Sequence, residues 1–495
     1  MARFPSFLSR LDRRLPVYTI STLPDRELRS HRLIAAFLFL LATCSLGLAA
    51  ADGVDHAAPS SAGTDSGVPE TGYRLLTEKA YLPADFDADT LESVWQVWPE
   101  PMHSEASQAN RTRRREMILD RYGLTLRPGA SLEDDRLLTL QYVVSRAGEW
   151  SMNCFACHGG RVYEQVSPGA PNTEFALELL TAEIRKTKLR QGKKLGTMDV
   201  GSLFMPLGTT RGTTNAVMFG VALLANREGD LSLKARRVAP SLTHHDMDAP
   251  PWWNVGKKRQ LYIDGFAPAG HRALMQFMLV EQNGPEEFAS WEKDFRHVEA
   301  YIRSLRPPRY PFPIDASLAE DGRMVFDANC ATCHGTHGGK DAFPERTVSL
   351  EEVGTDPVRL AALTAKDRDH YARSWFAAGH EKEVRRTPEG YVAPPLTGVW
   401  ASAPYLHNGS VPTLWHLLRP DQRPDRWRRS SRSFDSELVG FAVEENPPAG
   451  YIRDPAERVS WFDTSRFGKS NEGHLFPAVL SETEKKALLE YMKTL

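Results

Sequence analysis

The chain is short of cysteine. Its 495 residues carry five, and one of them, Cys44, sits in an apolar segment near the start. So few cannot make the disulfide framework of a small secreted scaffold. The sequence also lacks a strong charge of either sign: 61 Lys and Arg against 63 Asp and Glu leave a formal net charge of −2. That argues against a nucleic-acid-binding surface and gives no sign of a polybasic membrane patch. No stretch alternates apolar and polar residues long enough to argue for a large sheet. With 34 Pro and 35 Gly, long loops are expected.

One uncharged run stands out. Leu33 to Ala51 has no charged side chain over 19 residues and follows a leader containing Arg10, Arg13, Arg14, Arg26, Arg29 and Arg32. A basic region, an apolar region and the small residues Ala49, Ala50 and Ala51 are the layout of an export signal. The run is also just long enough to span a bilayer as an uncleaved anchor. Leu41-Ala42-Thr43-Cys44 is a third option, a poor version of a lipoprotein cleavage box. Each reading places the body outside the cytoplasm, periplasmic or secreted, and the anchor reading attaches it to a membrane through residues 33–51. Residues 52–72, rich in Ala, Ser and Gly, read as a flexible leader.

The other four cysteines fall in two pairs, and each pair is followed directly by a histidine. The two sites are Cys154-Phe155-Ala156-Cys157-His158 and Cys330-Ala331-Thr332-Cys333-His334. Two intervening residues put both sulfurs on one short helical turn, where they can add to the two vinyl groups of one haem. The histidine then comes under the iron as its proximal ligand. A zinc site gives no reason for a His after both pairs. Two Cys-x-x-Cys disulfides would be strained and lack a thioredoxin-like setting. The expected cofactor is therefore two covalently bound haem c, and export agrees, because haem c is attached outside the cytoplasm.

Arg306-Pro307-Pro308-Arg309-Tyr310-Pro311-Phe312-Pro313 has four prolines in eight residues and reads as an extended connector. The haem motifs lie on either side of it. The division expected is an export signal or anchor at 1–51, a leader at 52–72, an N-terminal haem domain at 73–305, a connector at 306–318 and a C-terminal cytochrome c domain at 319–495. The fold class expected is mainly α, with two cytochrome c-like haem domains and long irregular loops. In the C-terminal domain, Leu318, Gly322, Val325 and Phe326 share one helix face leading into Cys330. Ser481-Glu482-Thr483-Glu484 is a capping box opening a helix with the stripe Leu488, Tyr491, Met492 and Leu495. Helical patterns are also expected at Leu137–Val144 and Phe175–Thr187, and Arg111 to Arg115 reads as a solvated helix face.

The segment Ala393-Pro394-Pro395-Leu396-Thr397-Gly398-Val399-Trp400-Ala401-Ser402-Ala403-Pro404-Tyr405-Leu406-His407-Asn408-Gly409-Ser410 is similar to one in bacterial di-haem cytochrome c peroxidases. With Asn471-Glu472-Gly473-His474, it resembles the di-haem rubber-oxygenase-like proteins more closely. The resemblance is specific over about 319–495, extends to the first Cys-x-x-Cys-His motif and the Pro250-Pro251-Trp252-Trp253 segment, and is not detectable before about residue 72; this chain is shorter than the rubber oxygenases, which puts their substrate in doubt. The methionine that peroxidases supply to the second haem is replaced here by Pro420-Asp421-Gln422. By the resemblance, His474 becomes the distal ligand of the second haem, with His407 as the alternative. No clear second ligand for the first haem stands out among His271, His244, His245 and Met247. Its pocket candidates are Trp252, Trp253, His271 and Phe277, and Arg211 could pair with a propionate. The function implied is oxygen or peroxide chemistry at an open first haem, with electrons from a redox partner protein or a quinol-linked donor. A dioxygenase of an apolar unsaturated substrate leads. A di-haem peroxidase, a pure electron carrier with both haems six-coordinate, and a haem-bearing scaffold or sensor are the alternatives.

Overall fold

The structure is a computed structural model that describes residues 67–495 except 206, 338–341, 446 and 449–451. The export segment, Cys44 and most of the leader lie outside the described residues. The chain is mainly helical, 42% helix against 12% strand.

Helix α1 (Pro69–Glu78) opens with Pro in its first turn and packs on the long helix Pro285–Ser304. Helix α2 (Arg111–Tyr122) is capped by the Asn110 side chain and stopped by Gly123 at φ +68°. Its basic cluster is not one solvated face. Arg111 and Arg113 are exposed, whereas Arg115 is 1% exposed, with Nε on Glu92 at 2.7 Å and Nη1 on the Leu132 carbonyl. A helix turns about 100° per residue, so five consecutive residues cannot all face water.

The helix expected at Leu137–Val144 is instead β1 (Tyr142–Val144), paired antiparallel with β2 (Glu149–Met152). An aromatic followed by two β-branched valines suits a strand, and Gly148 at φ +82° closes the turn. The helical expectation over Phe175–Thr187 is met by α4 (Leu177–Arg190), after the short α3 (Phe155–His158). Then come α5 (Thr197–Gly201), α6 (Ala216–Ala225) and α7 (Pro285–Ser304).

Residues 305–314 run without helix or strand, as their prolines require. Beyond them lie α8 (Ala316–Asn329), α9 (Ala331–His334), the sheet strands β3 (Arg426–Asp435), β4 (Gly440–Glu444) and β5 (Phe462–Asp463), and α10 (Glu482–Met492). The sheet is antiparallel in the order β4-β3-β5. The sequence pattern did not reveal it, because β3 carries Arg at 426, 428, 429 and 432. Helices α8 and α10 cross as their apolar faces predict. The Ser481–Glu484 capping box is formed, Phe326 packs on Tyr491 with ring centres 5.4 Å apart, and Gly322 lies under α10.

The connector is extended but does not separate two cores. Trp400 Nε1 donates to the Pro308 carbonyl at 3.2 Å, and the Tyr310 ring packs edge-on against Trp400. One apolar cluster joins Phe155, Trp252 and Phe295 to Leu363, Tyr371 and Phe376, and another takes Val162, Ala170 and Trp253 into the core around Phe326 and Trp400. Ion pairs cross as well. Arg121 binds Glu183 at 2.7 Å and Asp454 at 3.1 Å, and the fully buried Asp264 carboxylate holds Arg359 at 3.1 Å and Arg368 at 2.5 Å. Residues on both sides of the connector therefore belong to one compact unit. No helix among the described residues is long and apolar enough to cross a membrane.

Two stability outcomes follow. A Cβ at Gly322 would lie 1.9 Å from the Ala487 carbonyl oxygen. Gly322→Val should therefore cost about 1–3 kcal/mol by overpacking, seen as a lower thermal midpoint. Asp264→Ala should cost about 3–5 kcal/mol in denaturant unfolding, because it leaves two buried guanidinium groups uncompensated.

Candidate functional site

Both Cys-x-x-Cys-His motifs form four-residue helices, α3 and α9. The first is set by Asn153, whose Oδ1 accepts from the Phe155 amide and whose Nδ2 donates to the Leu76 and Leu140 carbonyls. The second continues from α8, with the Cys330 amide still bonded to the Phe326 carbonyl at 2.8 Å. Gly335, at φ +85°, turns the chain away directly after His334. Cys154, Cys157, Cys330 and Cys333 are all unpaired thiols, which excludes the disulfide reading in this structure. Burial pushes the Cys154 thiol up to about 12 and the Cys330 thiol up to about 11. Among the described residues no cluster of three or more Cys, His, Asp or Glu forms a metal cage, so the pairs do not converge as a zinc site would require.

The two motif histidines are held alike. His158 Nδ1 donates to the Pro250 carbonyl at 3.0 Å, and His334 Nδ1 donates to the Pro394 carbonyl at 2.8 Å. Each acceptor belongs to an Ala-Pro-Pro triplet, 249–251 and 393–395. A proline before a proline is held extended and outside any helix, so its carbonyl is free to accept. With Nδ1 donating, Nε2 carries the lone pair available to a metal. Burial lowers the pKa of both rings, His158 to about 4, and keeps them neutral as a ligand must be.

The two triplets are also tied to each other. Trp253 Nε1 donates to the Thr397 carbonyl at 2.9 Å, and Asn254 Nδ2 donates to the Pro395 and Thr397 carbonyls at 3.1 and 3.0 Å. Trp252 stacks on the His158 ring with centres 4.8 Å apart. The pair of tryptophans thus has two jobs: Trp252 flanks one motif histidine, and Trp253 binds the strap of the other. Nothing in the sequence reading used the repeated Ala-Pro-Pro, although it was visible there.

The surroundings of the two histidines differ. The His474 ring faces His334 with centres 6.2 Å apart. Two imidazoles on one metal, each bonded at about 2.0–2.1 Å, have ring centres about 6.4 Å apart. Buried Nδ1 of His474 has no hydrogen-bond partner, and burial, His334 and the Arg423 charge lower its pKa to about 3. His474 sits at φ +49°, an unusual backbone for a non-glycine, after Gly473 at φ +79°. The strap is fastened by Arg423, whose Nη1 donates to the Asn471 and Gly473 carbonyls at 2.6 and 2.8 Å, and by the His474 amide on Val353 O at 2.6 Å. Asn408, beside His407, donates to Ser470 O at 2.9 Å.

His407 itself packs on Tyr391 with ring centres 4.5 Å apart, and its buried Nε2 has no partner. Its pKa is lowered to about 3 by burial, then by Arg359 and His245. At the first site, among the described residues, Trp252 is the ring packed on His158, and no second histidine ring meets it. His271 is engaged by Glu292 at 3.1 Å and Glu299 at 3.9 Å on α7. Phe277 is half-buried against the apolar core around Trp252. Arg211 donates to the Asp120, Arg121 and Glu174 carbonyls. Pro420–Gln422 forms a single 3-10 turn.

The donor set fits haem c: paired thiols, a neutral imidazole with its Nδ1 already committed, and at one site an opposed, orphaned imidazole. Comparison with known proteins agrees. Residues 319–397 match the cytochrome c family, a class whose haem is covalently bound, and this match supports a c-type cytochrome. Residues 390–428, which span the Pro394 strap and His407, match the RoxA-like, cytochrome c-like family. It is 32% identical over 204 residues to the uncharacterized protein y4iM of Sinorhizobium fredii, covering 36% of this chain and 45% of that one. To y4iJ of the same organism it is 29% identical over 264 residues, 40% and 43% of the two chains. The matches span less than half of either relative.

Arg423→Leu should free the Gly473 carbonyl and loosen the strap. Amide exchange over residues 471–474 is expected to speed up, while α10 keeps wild-type protection.

Proposed function

We propose that the chain carries two haems c, on Cys154, Cys157 and His158 and on Cys330, Cys333 and His334, and works as an extracytoplasmic oxidoreductase. A haem with one protein ligand binds and activates oxygen or peroxide, and one with two passes electrons. The observation that carries this reading is the asymmetry between the sites. His334 is opposed by His474 at 6.2 Å, whereas His158 has no opposing histidine among the described residues.

His474 and His334 define the electron-storing site, and His158 the reacting one. The core beside His158 is apolar, with Phe155, Trp252, Met275 and Met278 in one cluster and Phe277 against it. Apolar surroundings of this kind suit an apolar unsaturated substrate more than a polar one, and on that ground the oxygenase reading leads over the peroxidase. Electrons have a short route between the proximal histidines: His158, the Pro250 carbonyl, Trp252-Trp253-Asn254, the Pro395 and Thr397 carbonyls, Pro394 and His334. They would come from a redox partner protein or a quinol-linked donor, and residues 1–51 would direct the body to the periplasm.

The purified protein from a host able to attach haem should weigh the polypeptide plus two haems. Carbon monoxide should shift the ferrous spectrum of one haem only, and His474→Ala should make the second respond. Two haems that ignore carbon monoxide would make the protein a pure electron carrier. Turnover with a reduced cytochrome and peroxide, but none with oxygen and an unsaturated hydrocarbon, would make it a peroxidase.

A further inference from the structure

Near-zero net charge conceals a local surplus. Between Glu183 and Glu228 there is one acidic residue, Asp199, and it is buried and taken up by Lys188 at 2.5 Å. Lys193 is likewise paired, with Asp87 at 2.8 Å and Asp89 at 3.1 Å. Lys186, Arg190 and Lys194 are exposed and have no carboxylate partner among the described residues.

The same segment is unusually apolar at its surface. Leu189 is 61% and Leu203 58% exposed, and Leu195, Val200 and Phe204 are exposed with them. These are five of the fourteen exposed large apolar side chains among the described residues, gathered in sixteen positions. Their spacing makes them faces. Lys186, Leu189 and Arg190 follow i, i+3, i+4 on α4, opposite the buried Leu180 and Ile184. Val200, Leu203 and Phe204 repeat that spacing from α5 onward. The two pieces are held together beneath the surface by Lys188 on Asp199 and by Arg185 Nη1 on Asp199 O at 2.7 Å and Ser202 Oγ at 2.9 Å. Lys188 and Arg185 are turned to these inner ties, while Leu189, Leu195, Val200, Leu203 and Phe204 stay exposed beside Lys186, Arg190 and Lys194, which have no carboxylate partner among the described residues.

We propose that residues 186–204 are a docking surface for an anionic lipid membrane. The apolar side chains would enter the boundary between headgroups and acyl chains, as on interfacial helices, while Lys186, Arg190 and Lys194 meet the phosphates. Charge complementarity selects this occupant: an apolar protein partner would not need three unneutralised cations around its contact. The proposal stands or falls independently of the haem chemistry.

Hydrogen–deuterium exchange of the full-length holoprotein tests it locally, whatever residues 1–51 do. Vesicles of phosphatidylcholine mixed with phosphatidylglycerol should slow exchange over 186–204 several-fold, and phosphatidylcholine alone should not. The triple variant K186Q/R190Q/K194Q should weaken this partitioning on the order of a hundredfold, and L203S/F204S should abolish the protection. All the changed side chains are exposed, so both variants should keep the wild-type circular dichroism. Unchanged exchange with the anionic vesicles, equal protection by neutral ones, or protection by polyglutamate without protection by vesicles would each overturn the proposal, the last pointing to an acidic protein instead.

Discussion

Two proline carbonyls, each accepting the Nδ1 proton of one histidine, are the constraint from which the functional architecture follows. They fix the tautomer and the direction of His158 and His334, leaving the lone pair on Nε2. They also decide where the rest of the chain must go. Pro250 and Pro394 lie 92 and 60 residues beyond their histidines, so each bond closes a long loop over its site. The straps then meet, through Trp253 and Asn254 on Pro395 and Thr397. A contact that begins as local tuning of a ligand ends as the joint between two halves.

That joint explains why the halves share cores. Once the straps are bonded to each other, Trp253 is carried into the cluster around Phe326 and Trp400, and Leu363 to Phe376 into the cluster around Phe155. Buried charge then has to be settled across the boundary. Asp264 answers Arg359 and Arg368, and Lys469 answers Asp246 at 2.7 Å, tying the His474 strap to the loop that precedes Asp248. The second site has an opposing histidine on a strap of its own. Its opposing histidine is fastened by Arg423, Asn408 and Val353 in a backbone conformation that few residues adopt.

Much of this was legible because it is local chemistry. Cys-x-x-Cys-His needs one helical turn, and both turns are present. The face of Leu318, Gly322 and Phe326 and the Ser481 capping box give α8 and α10, since periodicity and capping act within a few residues. The errors were equally local in origin. Leu137–Val144 was read by apolar spacing alone, and the β-branched pair with a glycine turn overrode it. Arg-rich β3 hid its strand because its pairing is made by backbone rather than by pattern.

The sequence by itself determined the attachment chemistry, the helical class and the two crossing helices, because thiols, imidazoles and helix faces act over one or two turns. It even contained the repeated Ala-Pro-Pro, but without a reason to connect it to anything. Only the tertiary structure decided that His474 faces His334 while His158 stands beside Trp252, that the proline-rich connector joins one packed body, and that Lys186, Arg190 and Lys194 have no carboxylate partner among the described residues. Those outcomes depend on which side chains, 60 to 140 residues apart, are pressed together once water is excluded, and a hydrogen bond or an ion pair across that distance leaves no period in the chain to be read.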